Sequence, residues 1–119
     1  MKASELRIGN YIGIIHAGIE TKVIAEHIKF IAEGDTSYKP IPLTEEWILK
    51  FGFKYTKAKG AGGQDQWSGL GFISNGKINF RGHPASLMLE GYFNTNIEFV
   101  HQLQNLYFAL TGEELTITN

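Results

Sequence analysis

The sequence predicts an α+β domain: an antiparallel β-sheet, a meander with a small-barrel character, carrying a short central helix and a C-terminal helix. Three observations carry this. Glycine is abundant at 14 residues and proline scarce at 3, as in a β-rich chain with many tight turns. Asn75-Gly76 lies between two alternating segments and is a strong short hairpin signal. Two segments, near 44–52 and 100–112, carry helix boundary signals or an amphipathic stripe. With 119 residues the chain reads as a single domain, 1–119.

In chain order, Arg7 to His16 is rich in β-branched and aromatic residues around Gly9 and Gly13 and reads as strand. In Thr21 to Ile31, Val23, Ile24, His27, Ile28 and Ile31 fall at helical spacing. The β-branched content of the same stretch favours a pair of strands, which is the expectation carried forward. Glu33 to Ser37 is a turn. Thr44 suits a helix N-cap, and Glu45 and Glu46 then occupy the first turn, where the helix dipole favours negative charge. Leu43 and Ile48 stand at the two positions of a hydrophobic staple. Gly52 suits the left-handed position past the last turn, with Phe53 folding back onto Ile48. This helix of about two turns buries Trp47, Ile48 and Phe51.

Beyond it the pattern returns to β. Phe53, Tyr55 and Lys57 lead into a glycine-rich run from Lys59 to Gln66. Trp67 to Ser74 reads as a strand with Leu70 and Phe72 on one face. Asn75-Gly76 should form a type I′ turn, with positive φ at both residues, into the return strand Lys77–Phe80. A corner at Arg81–Pro84 precedes a strand over Ala85–Tyr92. The last helix runs from about Val100 to Leu110, with Val100, Leu103, Leu106, Tyr107 and Leu110 on one stripe, and Gly112 stops it. Thr95 to Glu98 matches a capping box, while Ile97 and Phe99 alternate like a strand end.

Composition excludes several classes. At 43% hydrophobic and 19% charged residues, the chain is not intrinsically disordered. It has no cysteine, so disulfides, thiolate zinc sites and cysteine nucleophiles are ruled out. A net charge of −1 argues against a chain that coats nucleic acid or an anionic membrane. No apolar stretch reaches the length of a membrane span, and no secretory signal is read at the start, so the expected location is cytoplasmic.

Catalytic motifs are not found. His16, His27, His83 and His101 lack metal-ligand spacing, and His101 is expected on the polar face of the last helix or at its cap. Gly71 to Lys77 spells GxxxxGK, but Ile78 replaces the Ser or Thr that would hold magnesium, in a hairpin context. Glu45/Glu46 and Glu113/Glu114 are adjacent pairs that do not face each other, and the second pair is expected to be solvated. No catalytic residue, metal or cofactor is therefore assigned. The one candidate ligand site is the glycine-rich run with Lys57, Lys59 and Trp67, where cations and backbone N–H groups suit a phosphate and the indole suits a base or sugar. Lys50, Lys54, Lys57 and Lys59, with Tyr55 and Trp67, are also readable as a small basic and aromatic face. An exposed Phe108 beside Gln104 would make a self-association patch.

Three blocks are distinctive: Leu6-Arg7-Ile8-Gly9-Asn10-Tyr11, the segment from Pro40 to Phe53 (PIPLTEEWILKFGF), and the segment from Val100 to Leu115 (VHQLQNLYFALTGEEL). Together they resemble a family of small uncharacterised proteins from phages, prophages and mobile elements of gut anaerobes. They cover about a third of the chain, in the family's order. The resemblance implies a mobile-element origin and an intracellular location, leaves the middle of the chain as the variable part, and carries no site residues. The expected function is that of a non-enzymatic accessory or interaction protein, with a protein partner or self-association and no membrane. The alternative is binding or sequestration of a nucleotide-type small ligand; a nucleic-acid-binding module is admitted but not favoured.

Overall fold

The computed structural model describes residues 1–57, 71–90 and 96–118. After a 3-10 turn at Ala3–Glu5, the N-terminal part forms β1 (Tyr11–Ile14), β2 (Ile19–Lys22), α1 (Ala25–Ala32) and β3 (Tyr38–Lys39). Then come α2 (Glu45–Lys50), β4 (Lys54–Lys57), β5 (Gly71–Ser74), β6 (Asn79–His83), β7 (Ser86–Leu89) and α3 (Val100–Thr111). All strand pairs are antiparallel, as expected. They divide between two sheets, β2-β1-β3 and the meander β4-β5-β6-β7, where one sheet was predicted.

Residues 21–31 correct the strand-pair expectation. β2 ends at Lys22 and α1 begins at Ala25. The helical spacing of Ile28 and Ile31 decides the segment, since it sets both on one side against Leu6, Ile12 and Val23. The His27 ring closes the start of α1, with Nδ1 accepting the Ile24 N–H at 3.1 Å.

The central helix follows the sequence closely. Thr44 Oγ1 accepts the Trp47 N–H at 3.3 Å. Glu46 and Lys50 form an i,i+4 ion pair at 3.2 Å. At the other end, Gly52 has φ +85°, its N–H bonds to the Leu49 carbonyl, and the Phe53 N–H bonds to the Ile48 carbonyl. That double bond is the Schellman arrangement. Trp47, Ile48 and Phe51 are buried, with Leu43 beside them.

The meander differs in detail from the prediction. The β5–β6 connection is an Asx turn, in which Asn75 Oδ1 accepts the N–H groups of Lys77 and Ile78. Only Gly76 there has positive φ, so the hairpin forms without the type I′ turn. Register Ser74↔Asn79 sets Ile73, Phe80 and Leu87 inward. Phe72 therefore points out, 50% exposed. The neighbouring Leu70 lies outside the described residues.

α3 begins at Val100 with Phe99 as its N-cap residue, and Gln102 Oε1 accepts the N–H groups of Glu98 and Phe99. Ile97 bridges to Leu87 as a strand end, so the capping-box reading of 95–98 does not hold. Gly112 ends the helix in the left-handed region. The main core joins α2, α3 and the inner face of the meander; a smaller one, Leu6, Ile12 and Val23, lies under α1.

Candidate functional site

Of the residues singled out for a ligand, Lys57 closes β4, its backbone opposite Gly71. Lys59 and Trp67 lie outside the described residues, on the connection between β4 and β5. Of the wider lysine cluster, Lys50 and Lys54 have described side chains. Lys50 turns to its own helix, over the Trp47 ring at 5.0 Å and against Glu46. Tyr55 faces inward and packs on the core, because it alternates with outward Lys54 and Thr56.

What the meander presents outward is a different set. Thr56, Phe72 and Arg81 stand in one cross-strand row, and Lys54, Ser74 and Asn79 in the next. The Arg81 guanidinium lies 5.4 Å from the centre of the Phe72 ring. Lys54, Thr56, Phe72, Asn79 and Arg81 are all exposed. As far as β6 neither row carries a carboxylate; beyond it, exposed Glu90 stands beside Asn79, its N–H bonded to the Asn79 carbonyl at 3.0 Å. An open sheet with an aromatic ring, a stacked guanidinium and an ammonium can hold a flat ring by stacking and an anion by charge. Sequence reading set Phe72 on one strand face with Leu70, without assigning that face to the interior or to solvent, and Arg81 in a corner. The alternation Gly71-Phe72-Ile73 fits either face until the partner strand fixes it, and Ile73 won the interior.

The second feature is a polar joint between α3 and the N-terminal sheet. β3 covers the edge of β1 only at Gly13 and Ile14. Where it ends, the Gln104 side-chain amide takes over, accepting the Tyr11 N–H at 2.8 Å and donating to the Gly9 carbonyl at 3.2 Å. This is the pairing a backbone amide would make, supplied by a side chain. Next to it, Asn105 Oδ1 accepts from Arg7 Nη1 and Asn10 Nδ2, and its Nδ2 donates to the Glu5 carbonyl. Arg7 pairs with Glu114 and stacks over Phe108 at 4.1 Å. The Tyr11 ring packs on Trp47 and Phe51, with centroids 5.3 and 6.2 Å apart. Residues from all three distinctive sequence blocks thus meet around Tyr11. A cleft of about 420 Å³ opens beside it, between Lys22, Ile8 and the tail residues Leu115 and Ile117.

No family model, curated protein or solved structure matches this chain.

Two expectations are corrected here. Gln104 is 1% exposed and belongs to it, so it does not flank Phe108 on a surface patch; Phe108 itself is exposed, as foreseen. His101, expected on a polar face, is 1% exposed and stacks on Phe99. Glu113 and Glu114 are exposed, as expected, and form surface ion pairs with Lys77 and Arg7. Among the described residues, no three histidine, aspartate or glutamate side chains gather as a metal site. No helix there is long and apolar enough to cross a membrane. The joint was missed because Gln104 and Asn105 carry no hydrophobic periodicity. Its one readable signal was a pair of amides interrupting an apolar stripe.

Proposed function

We propose that this chain is a small accessory binding module of the phage or mobile-element kind, and that the outer face of β4–β7 is its working surface. One observation carries the reading: the exposed Phe72 ring, with the Arg81 guanidinium against it and Lys54 in the adjoining row. The distinctive blocks meet in the joint and the α2 core, which supports reading them as scaffold. The resemblance leaves the middle of the chain variable, and the middle builds this face. Its chemistry suits a nucleotide-bearing ligand, above all a single strand: bases stack on Phe72, and phosphates pair with Lys54 and Arg81. In sequence, Lys59 and Trp67 lie between β4 and β5.

The test is a backbone NMR titration with oligothymidylate at low salt, and separately with ATP. Shifts centred on Phe72, Arg81 and Lys54 are expected. The substitution Phe72→Ala should weaken binding about tenfold, because stacking contributes about 1–3 kcal/mol per base. Binding should also fall with added salt. A spectrum unmoved by both ligands, or shifts confined to another face, would defeat the proposal. Shifts with ATP alone would assign the face to the small ligand instead of the strand.

A further inference from the structure

The edge of β2 is a self-complementary surface. β2 has β1 on one side and, among the described residues, a free edge on the other. The Val23 N–H donates to the Asn10 carbonyl at 2.8 Å, so that pair is of the hydrogen-bonded type. Alternation along the register then makes Ile12–Thr21 and Ile14–Ile19 hydrogen-bonded pairs as well. Glu20 and Lys22 are left with their backbone N–H and C=O groups aimed at the free edge. The same phase holds on the far side of β1, where Tyr11 and Gly13 face Gln104 and β3. Both Glu20 and Lys22 are exposed, and neither forms an ion pair among the described residues. Lys22 only rests over the Tyr11 ring at 5.6 Å.

We propose that β2 pairs antiparallel with β2 of a second copy of this chain, about a two-fold axis through Thr21. Three registers would bring outward-facing backbone groups together. Centring on Glu20 puts two carboxylates face to face, and centring on Lys22 puts two ammonium groups face to face. Centring on Thr21 sets each Glu20 opposite Lys22 of the second copy, with Thr21 opposite Thr21. Opposite charges and paired threonines across strands are both stabilising, while like charges are not. Charge alone therefore selects one register, and that register is closed by symmetry. Ile19, 55% exposed, lies on the Thr21 side of the strand and adds apolar area at each end. The two three-stranded sheets become one of six strands. A four-residue edge is a small interface, so the dissociation constant is expected on the order of 0.1 mM. This pairing is independent of the outer face of the meander.

Sedimentation equilibrium of the full chain, from about 10 μM to 1 mM, tests it. The wild type should rise with concentration from 13.3 kDa towards twice that mass. Glu20→Lys and Lys22→Glu each create two like-charge pairs and should weaken association at least about tenfold. Mixed together, those two variants should dimerise with each other, because both cross pairs become attractive. The double swap, Glu20→Lys with Lys22→Glu, should restore the homodimer and also shows that the exposed substitutions leave the fold intact. A wild type that stays at 13.3 kDa throughout overturns the proposal. So does a dimer that neither reversal weakens, or a mixture of the two reversals that stays monomeric.

Discussion

Two buried polar side chains on α3 set the most local predictions. Among the described residues neither ring nitrogen of His101 has a hydrogen-bond partner, and Glu5 reaches Nε2 only at 3.5 Å. That distance supplies attraction without a well-formed hydrogen bond. Burial holds the imidazole below its ordinary value of 6.5, with the Glu5 carboxylate pulling the other way. As pH falls, the unfolded chain takes up the proton before the folded one. Stability is thus retained above about pH 6.5 and declines as pH drops through that value towards the folded-state one. Thermal melts of the wild type and His101→Leu, from about pH 7.5 to 5, should diverge, with the steeper fall in the wild type. Parallel curves would clear His101 of the effect. Gln104→Leu removes the only described partners of the Tyr11 N–H and Gly9 carbonyl on that edge. It should cost about 2 kcal/mol in denaturant unfolding, the low end for two orphaned groups at about 1–3 kcal/mol each, because both are only half-buried. A loss under 1 kcal/mol would mean water replaces the amide.

Elements differ in how far they could be read in advance. α2 was legible nearly residue by residue, because its staple, cap and stop signals are local and all agree. α1 was not, because β-branched residues and helical spacing pulled apart, and a three-residue cluster beneath it decided the outcome. The outward face of β5 was illegible for a related reason: alternation gives two faces but not which one is covered. The joint depends on contacts between residues about a hundred positions apart, which no window of sequence contains. At the β6–β7 hairpin, Gly82 has φ +122°, and a Cβ there would stand 2.6 Å from the Ser86 carbonyl oxygen. That neighbour is backbone and cannot turn aside. Gly82→Ala should therefore destabilise by about 2 kcal/mol or more, strain and clash combined, as measured by chemical denaturation. Retained stability would require the hairpin to have re-registered, which the amide pairings of β6 and β7 would reveal.

At the scale of the whole molecule, the two sheets are unequal. The main core spans α2, α3 and the meander, whereas the N-terminal sheet rests on three buried apolar residues and the polar joint. Within this arrangement Gln104 has a second consequence. Fibrous growth of a sheet needs a receptive edge on both sides, so that every added chain exposes the next docking site. Here one side is two residues of β3 followed by a side-chain amide, which satisfies the strand but offers no ladder to a newcomer. Addition through β2 would use up the opposite side. Association along this sheet then halts at a pair, and α3, though it lies in no sheet, acts as the chain terminator.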